Sequence, residues 1–249
     1  FTLMLNSQPN ADVTVNLSGV DDTEGESLTG NSLTFSPDNW NQPKLLILQG
    51  LDDPIVDGDI RYTLTASAQS NDIHFNNKQA RLSVVNTDND AGGITLSASS
   101  LVTSENGDSA SFSAVLGSRP LSPVNIVVTG LDETEGALSQ TSVSFDATNW
   151  NQAQTITVKG LDDTLADGDI PYELAVTSLS SDPNYNAKAF KVKVTNLDNE
   201  VGGIVVDKSQ ITTSEYLTSD NFSVALKSQP LSDVTVNISG LDTTEGRLS

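Results

Sequence analysis

The chain has 249 residues, and 36% of them are hydrophobic, which is enough for packed cores rather than a disordered polymer. Its 33 acidic and 12 basic residues give a formal net charge of −21, so the surface repels phosphate backbones and anionic membranes and attracts cations. We therefore expect no nucleic acid partner and no membrane insertion.

The chain has no cysteine and a single histidine, His74. Disulfides and thiolate metal sites are therefore excluded. A single histidine also leaves almost no residues from which a histidine zinc site or a Ser/His/Asp nucleophile could be built. No apolar run approaches the roughly 18 residues of a membrane span, and the opening FTLMLNSQPN lacks the regions of a signal peptide. We expect a chain that begins inside a longer protein and whose metal sites, if present, use oxygen ligands.

Internal repetition predicts the domain organisation. The motifs NWNQ, TEG, LDD, DGDI and GGI recur in the same order, and Trp40, Asp52 and Asn86 return 110 residues later as Trp150, Asp162 and Asn196. A period of one domain length predicts tandem domains. We predict a first repeat at 1–90 that lacks its first strand, a complete repeat at 91–200, and the N-terminal part of a third repeat at 201–249.

In chain order, the complete repeat contains seven stretches in which apolar and polar residues alternate. They are GITLSAS, ASFSAVLGS, VNIVVTG, TSVSFD, QTITVKG, PYELAVTS and AFKVKVTN. This alternation, with Gly, Asn, Asp and Pro between the stretches, predicts an all-β, two-sheet sandwich of about 100 residues without helices. The side chains expected to face the core are Phe112, Ala114, Leu116, Ile126, Val128, Phe145, Ile156, Val158, Leu174, Val176, Phe190, Val192 and Val194.

Acidic residues cluster in the loops that join these strands. The clusters are Glu105 before the second strand, Asp132, Glu133 and Glu135 after the third, Asp162, Asp163 and Asp167 after the fifth, and Asp198 and Glu200 after the seventh. Loops gather at the two ends of a sandwich, so these clusters can meet at one tip, where they would repel one another unless a cation lay among them. Calcium takes six to eight oxygen ligands with loose geometry and therefore suits a cluster of carboxylates better than magnesium does.

The segments TSENGDSASFSAVL, LDDTLADGDIPYEL and KVTNLDNE resemble the Calx-beta domain and its bacterial tandem-repeat relatives. This resemblance covers residues 91–200 and the matching parts of the flanking repeats. It implies seven-stranded, immunoglobulin-like Greek-key sandwiches that bind calcium ions (Ca2+) at one tip. The ligand positions that it implies are Glu105, Asp132, Asp162, Asp163, Asp167, Asp198 and Glu200 in the complete repeat, Asp21, Asp52, Asp53, Asp57, Asp88 and Asp90 in the first, and Glu215 in the third. The closing DNE at 198–200 departs from the acidic triplet of the family and leaves the number of ions open.

Other interpretations of the same residues stay open. The acidic loops are also compatible with solvated turns of an acidic protein, although such turns would not explain why DD and DGD recur at one offset. Trp40 and Trp150 are compatible with a sugar-binding platform, but a tryptophan that enters a strand is more often a core cap. We interpret both tryptophans as structural and His74 as an exposed loop residue.

The turns FSPDNWNQP and FDATNWNQA resemble repeats of large bacterial surface proteins, which implies an extracellular, secreted or cell-surface location. Two functions follow: a calcium-stiffened stalk or spacer of a secreted adhesin, or a repeat subunit of an extracellular filament or biofilm matrix fibre. In both, the partners are neighbouring repeats of the same or another chain, and the missing catalytic set argues against an enzyme. The junctions, NTDND before AGGI and NLDNE before VGGI, have no flexible linker, which predicts a calcium clamp at each junction.

Overall fold

The computed structural model describes residues 1–248, which form strands and turns and no helix. None of these residues therefore lies in a helix long and apolar enough to cross a membrane. Contacts divide the chain into two compact units: unit 1 comprises Phe1–Gly93 and Leu116–Leu121, and unit 2 comprises Ile94–Val115 and the chain from Ser122 onward. The division into repeats at 1–90, 91–200 and 201–249 is a different partition and stays a prediction.

Unit 1 contains one four-stranded sheet and two short two-stranded sheets. Its strands are β1 (Thr2–Leu3), β2 (Val13–Ser18), β3 (Gly25–Ser27), β4 (Ser32–Phe35), β5 (Lys44–Leu45), β6 (Leu48–Gly50), β7 (Ile60–Ser70) and β8 (Gln79–Asn86). The four-stranded sheet has the order β4-β2-β7-β8, and the short sheets are β1-β5 and β3-β6. All of these pairs are antiparallel. Since β8 is the last strand of its sheet, no strand among residues 1–248 pairs with its outer edge.

Unit 2 contains a sandwich of two larger sheets and one hairpin-like pair. Its strands are β9 (Ile94–Leu96), β10 (Ser100–Ser104), β11 (Ser109–Leu116), β12 (Val124–Thr129), β13 (Gly136–Leu138), β14 (Ser142–Phe145), β15 (Gln154–Gly160), β16 (Ile170–Ser180), β17 (Ala189–Leu197), β18 (Ile204–Val206) and β19 (Val224–Leu226). One sheet has the order β10-β17-β16-β12-β14 and the other β13-β15-β11-β9, while β18 pairs with β19. β10 runs parallel to β17. The chain crosses between the sheets from β11 to β12 and from β14 to β15, so the predicted all-β, immunoglobulin-like sandwich fold is confirmed.

The alternating pattern correctly predicts the core of this sandwich. All of the side chains expected to face inward are buried except Phe190, which is only half-buried because it is the second residue of β17 at the end of the sheet. Successive strand residues point to opposite faces of the sheet, so every second side chain faces the core, away from water. In unit 1, Trp40 packs against the buried Leu5, Val13 and Phe35, as expected of a core cap.

Two strands of the sandwich were not predicted from the pattern. β9 pairs with β11 in one sheet, and the chain then moves to the other sheet, where β10 pairs with β17. The sequence of β10 shows no apolar alternation, because its inward-facing side includes the polar Thr103. The hydroxyl of Thr103 donates to Asn196 Oδ1 at 3.0 Å, and both residues are buried. The other unpredicted strand, β13, has only three residues, which is too short for a periodic signal.

The segment 201–248 is exposed except at Phe222 and Ser228, which are half-buried. β18 and β19 repeat the pairing of β9 with β11, but every residue of both strands is exposed, whereas Ile94, Ala114 and Leu116 are buried in the complete repeat. No second sheet covers this pair within residues 1–248. Its apolar side chains therefore remain in contact with water.

We predict that Phe145→Ala lowers the free energy of unfolding of the complete repeat by about 3 to 5 kcal/mol, because this ring is fully buried between the sheets and its removal leaves a cavity. The measurement is urea unfolding of the full chain with Trp40→Phe as background, so that Trp150 fluorescence reports on this repeat. Leu179→Ala is the control, because Leu179 is 59% exposed and its loss should change the free energy by no more than about 0.5 kcal/mol. Equal effects of the two substitutions would contradict the described core.

Candidate metal centre

Carboxylates from separate loops meet in three groups within the described residues. In each group, three acids offer one ligand atom apiece, and these atoms all lie within 4.8 Å of one another. We name them the Glu24 group (Glu24, Asp53 and Asp57, in unit 1), the Glu135 group (Glu135, Asp163 and Asp167, in unit 2) and the Glu105 group (Glu105, Asp162 and Glu200, in unit 2). The Glu24 and Glu135 groups occupy equivalent positions of consecutive sequence repeats.

A buried asparagine positions the Glu135 group. Glu135 is only 5% exposed where it precedes β13, and its Oε2 accepts a hydrogen bond from Asn196 Nδ2 at 3.2 Å. The same amide donates to the carbonyl oxygen of Leu161 at 3.0 Å. Asn196, from β17, therefore holds the acidic loop after β15 beside the glutamate. Gly160 precedes that loop and has no space for a side chain, because a Cβ there would clash with Asn196 and with the backbone of β10.

The LDD and DGD motifs together set the shape of the same loop. Asp163 Oδ1 accepts the backbone N–H of Leu165 at 2.7 Å. Gly168 adopts a left-handed conformation with φ 83°, which glycine tolerates without strain, and its N–H donates to Asp198 Oδ2 at 2.7 Å. The other oxygen of Asp198 accepts the N–H of Glu200 at 2.7 Å. Asp198 therefore joins the loop after β15 to the end of β17 through both of its oxygens.

The equivalent loop of unit 1 has the same geometry. Asn86 Nδ2 donates to Glu24 Oε2 at 3.2 Å and to the carbonyl oxygen of Leu51 at 2.8 Å. Gly58 has φ 80° and donates its N–H to Asp88 Oδ2 at 2.8 Å. Two loops of different sequence in their centres, PIV and TLA, thus present the same carboxylates. This geometry explains why DD and DGD recur at one offset.

The Glu105 group is found in unit 2. Glu105 is 4% exposed, and its backbone N–H donates to the carbonyl oxygen of Leu197, which extends the pairing of β10 with β17. Its Oε2 accepts the N–H of Asn199 at 3.1 Å, and Asn199 Nδ2 donates to Asp162 Oδ1 at 2.9 Å. The group therefore depends on β10, which brings Glu105 to the end of β17.

The crowding of carboxylates raises several pKa values. Burial raises the pKa of Glu105 to about 7, and the neighbouring Glu200 and Asp198 carboxylates add to this effect against the hydrogen bond from Asn199. Burial also raises the pKa of Glu135, with repulsion from Asp167 as a further cause. In unit 1, burial raises the pKa values of Asp57 and Asp90, and neighbouring carboxylates add to both shifts. The protein thus holds acids together in positions where negative charge is unfavourable.

The residues of these groups fit a hard cation. Asp167 Oδ1 and Glu200 Oε2 are buried and have no hydrogen-bond partner among the described residues, so each has an oxygen free to coordinate. The ion pairs Lys191–Glu173 and Lys208–Asp220 involve none of the carboxylates of the three groups. In unit 1, a cavity of about 190 Å³ is lined by acids that include Asp52, Asp88 and Asp90. All of the available donors are oxygens, which are the ligands of calcium.

The predicted ligand residues have different roles in the structure, and only some of them lie in the three groups. The three groups contain Glu105, Asp162, Asp163, Asp167, Glu200, Asp53 and Asp57. Asp198 and Asp88 are engaged in holding the loops, Asp52 and Asp90 line the cavity of unit 1, and Glu215 belongs to none of the groups. Asp132 and Asp21 each accept hydrogen bonds from the N–H and hydroxyl of a following threonine, which lower their pKa values. These ligand assignments stay predictions.

The glutamate of the TEG motif is the main residue that the proposed ligand set omitted. Glu24 and Glu135 contribute to their groups where the aspartates three residues earlier, Asp21 and Asp132, do not. The available signal was the recurrence of this glutamate in every repeat, together with the asparagine that each of the first two repeats places at the end of its last strand.

No family model matches the chain, and a comparison with curated proteins found no match. Among solved structures, the chain is similar to CBD12 from CALX1.2, with 11% identity, a TM-score of 0.36 and coverage of 77% of this chain and 90% of that chain. It is also similar to extracellular cadherin domains 1–4 of protocadherin gamma B7, with 13% identity, a TM-score of 0.34 and coverage of 86% and 50%. The periplasmic chaperone SfaE has 10% identity, a TM-score of 0.34 and coverage of 43% and 57%. These likenesses are too slight to bear on function, and the fold assignment rests on strand order and pairing.

In metal-free buffer, the complete repeat is expected to lose stability as the pH rises from 5 to 8. In the folded state, the pKa of Glu105 is about 7, above its ordinary value of 4.5. Between these two pH values the folded state therefore binds more protons than the unfolded state, which stabilises it. This contribution to the free energy of unfolding is lost as the pH rises past 7. The lowered pKa values of Asp132 and Asp198 act in the opposite direction but only below about pH 4, where aspartate titrates. Urea unfolding at both pH values measures the effect.

Glu105→Gln should reduce this pH dependence, because glutamine does not ionise. The matched control is Glu133→Gln, which changes an exposed glutamate of the neighbouring loop. If the two variants keep the same pH dependence as the unsubstituted chain, the burial of Glu105 among carboxylates is not what sets it.

Proposed function

We propose that the acidic groups bind calcium and that the chain is a non-enzymatic structural repeat stiffened by that ion. The observation that carries this proposal is that carboxylates from different loops converge within 4.8 Å of one another while two of them, Asp167 and Glu200, retain buried oxygens without a hydrogen-bond partner. A divalent cation would remove the repulsion and satisfy these oxygens. Calcium suits the groups because it accepts many carboxylates in loose geometry, whereas magnesium prefers to keep its waters.

The acidic loops also contact the sequence repeat that follows them, which supports a mechanical role. Within unit 1, the N–H of Arg119 donates to the carbonyl oxygen of Pro54 at 2.6 Å. Within unit 2, the N–H of Gln229 donates to the carbonyl oxygen of Thr164 at 2.7 Å. Arg119 and Gln229 are equivalent in sequence, as are Pro54 and Thr164, so the same contact is made twice. An ion that orders this loop would therefore also order the attachment of the next repeat.

The context that we propose is the stalk or spacer of a secreted bacterial surface adhesin, with Calx-beta-like repeats outside the cell. The resemblance of the sequence to such repeats supports this context, as does the absence of cysteine and of a residue set for catalysis; the single histidine, His74, is exposed. Calcium is available at millimolar concentration outside cells, where calcium-binding modules of low affinity function. The second candidate, a repeat subunit of an extracellular filament or biofilm matrix fibre, has the same repeat organisation in its sequence.

Calcium should stabilise the complete repeat against unfolding, because a ligand that binds only the folded state stabilises it by mass action, by about 2.7 kcal/mol at 100 times its Kd. Thermal unfolding of the full chain, followed by Trp150 fluorescence in Trp40→Phe, measures the midpoint with calcium and with chelator. Replacing Asp162 and Asp163 together by alanine should remove most of the difference.

The matched control for this substitution is Asp146→Ala. Asp146 forms hydrogen bonds with Thr148 in an exposed turn and lies outside the three groups, so this variant should lose some stability but keep its response to calcium. Equal midpoints with calcium and chelator in the unsubstituted chain would refute the proposed ion binding.

The stiffening itself is tested by small-angle scattering of the 249-residue chain. We expect the maximum dimension to increase and its distribution to narrow when calcium replaces chelator, because ordered loops restrict motion between consecutive repeats. The variant in which Asp53 and Asp163 are both changed to asparagine should not respond. Calcium binding without any change in scattering would support an ion that serves the fold of each domain and would contradict the stalk mechanism.

A further inference from the structure

We propose that a buried water molecule lies on the core side of the Glu135 group. The Tyr172 hydroxyl donates a hydrogen bond to this water, and the water donates to the carboxylates of Glu135 and Asp132. Tyr172 is thereby a positioning residue for Glu135, because it acts on that carboxylate through the water. The water site stands on the geometry of the tip, and only its effect on ion binding rests on the proposed function.

Tyr172 directs its polar end into the protein. It precedes Leu174 and Val176 on the inward face of β16, and both of these side chains are buried. Tyr172 as a whole residue is only half-buried, yet its hydroxyl oxygen is buried. A tyrosine that is partly exposed ordinarily keeps its hydroxyl in water and buries its ring. The hydroxyl of Tyr172 is instead held inside, where it needs a hydrogen-bond partner.

This hydroxyl lies against the backbone that carries Glu135. A Cβ at Gly136, the next residue, would overlap the Tyr172 hydroxyl. Gly136 pairs with Gly160 between β13 and β15, and a Cβ at Gly160 would overlap Asn196. Two polar side chains from the core, Tyr172 and Asn196, therefore reach the acidic tip where a pair of glycines leaves room for them.

These two side chains differ in their hydrogen bonds. Asn196 donates to Glu135 and to the carbonyl oxygen of Leu161, and it accepts from Thr103. The Tyr172 hydroxyl has no hydrogen-bond partner among residues 1–248, so no carboxylate is close enough for a direct bond. A buried hydroxyl without a partner costs free energy that a phenylalanine ring would not. Tyr172 therefore supplies a donor that the side chains of the tip do not use.

The carboxylates beside this hydroxyl have few donors of their own. Glu135 is 5% exposed, and its Oε2 accepts from Asn196 at 3.2 Å, whereas its Oε1 has only a long contact of 3.4 Å with the Thr134 hydroxyl. That hydroxyl donates to Asp132 Oδ1 at 2.6 Å and leaves Asp132 Oδ2 to another donor. Buried carboxylates ordinarily accept several hydrogen bonds. Glu135 Oε1 and Asp132 Oδ2 are therefore the acceptors that a further donor would serve.

One water molecule satisfies all three groups. Buried waters bridge polar groups that are too far apart for a direct bond, and each makes about three hydrogen bonds. This water accepts from Tyr172 and donates its two hydrogens to Glu135 and Asp132. Burial raises the pKa of Tyr172 to about 12, and the Asp132 and Glu135 carboxylates add to this effect, so both lie near the hydroxyl. At neutral pH the hydroxyl therefore keeps its proton and remains a donor.

Unit 1 repeats this arrangement. A Cβ at Gly25 would overlap the Tyr62 hydroxyl. Burial raises the pKa of Tyr62, and the Asp21 and Glu24 carboxylates add to the shift. The tyrosine follows the DGDI motif at the same offset in both repeats, and the glycine ends the TEG motif in both. This recurrence indicates that the tyrosine and the glycine belong to the construction of the acidic tip.

The first test removes the hydroxyl and uses no calcium. Tyr172→Phe is compared with the unsubstituted chain by urea unfolding in chelator, with Trp40→Phe as background so that Trp150 fluorescence reports on the complete repeat. We expect the equilibrium constant for unfolding to rise about three- to tenfold, because a water-mediated hydrogen bond to a buried carboxylate is lost. If the hydroxyl had no partner, the substitution would leave this constant unchanged or lower it, and that result would overturn the inference.

Matched variants make this test specific. Tyr216→Phe removes the hydroxyl of a tyrosine that is 93% exposed and should leave unfolding unchanged. In a Glu135→Gln background, Tyr172→Phe should have a smaller effect, because hydrogen bonds to a neutral amide are weaker than those to a carboxylate. In a Glu133→Gln background, which changes an exposed neighbour, the effect should keep its full size. An equal effect in both backgrounds would show that the hydroxyl does not act on Glu135.

The second test measures calcium affinity from the rise of the thermal midpoint with calcium concentration. Tyr172→Phe should raise the apparent Kd of the complete repeat about three- to tenfold, because hydrogen-bond partners of metal ligands orient those ligands, whereas Tyr216→Phe should not change it. A purely structural tyrosine would change stability but not Kd, so an unchanged Kd would contradict the positioning of Glu135. If calcium does not stabilise the unsubstituted chain, the proposed function fails, while the measurement in chelator still decides the water site.

Discussion

Repulsion between carboxylates that strand pairing brings together is the constraint on which the rest of this structure depends. β10, β15 and β17 end at the same tip, and their loops carry acids to within 4.8 Å of one another. Burial then raises the pKa of Glu105 to about 7, so the folded chain bears an electrostatic cost near neutral pH that a proton or a cation can remove. The hydrogen bonds of Asn196 and Asp198 keep the loops in place while that cost persists.

In each unit, the acidic loop also contacts one residue of the following sequence repeat. Pro54 and Thr164 lie in the acidic loops and accept hydrogen bonds from the loop of the following sequence repeat. The acidic carboxylates and these two hydrogen bonds thus share one short piece of backbone.

In the complete repeat, β10 contributes to the sheet, to the core and to the acidic site. It closes the edge of β17, buries Leu101 and places Glu105 beside Asp162. β8 has the same sequence position as β17, and no strand among residues 1–248 pairs with its outer edge. In the complete repeat, one strand therefore contributes to the core and to the acidic site together.

The sequence by itself determined the all-β class, the core of the complete repeat and the presence of acids in the loops, because alternation and repetition are local or periodic signals. It could not determine that Glu135 rather than Asp132 enters its group, since the difference is that Asp132 is occupied by Thr134 and Glu135 is held by an asparagine from a distant strand. It also missed β10, whose inward-facing polar side chain is satisfied by Asn196. Only the tertiary structure decided these points, because a buried polar group is recognisable by its partner, and that partner lies 93 residues away along the chain.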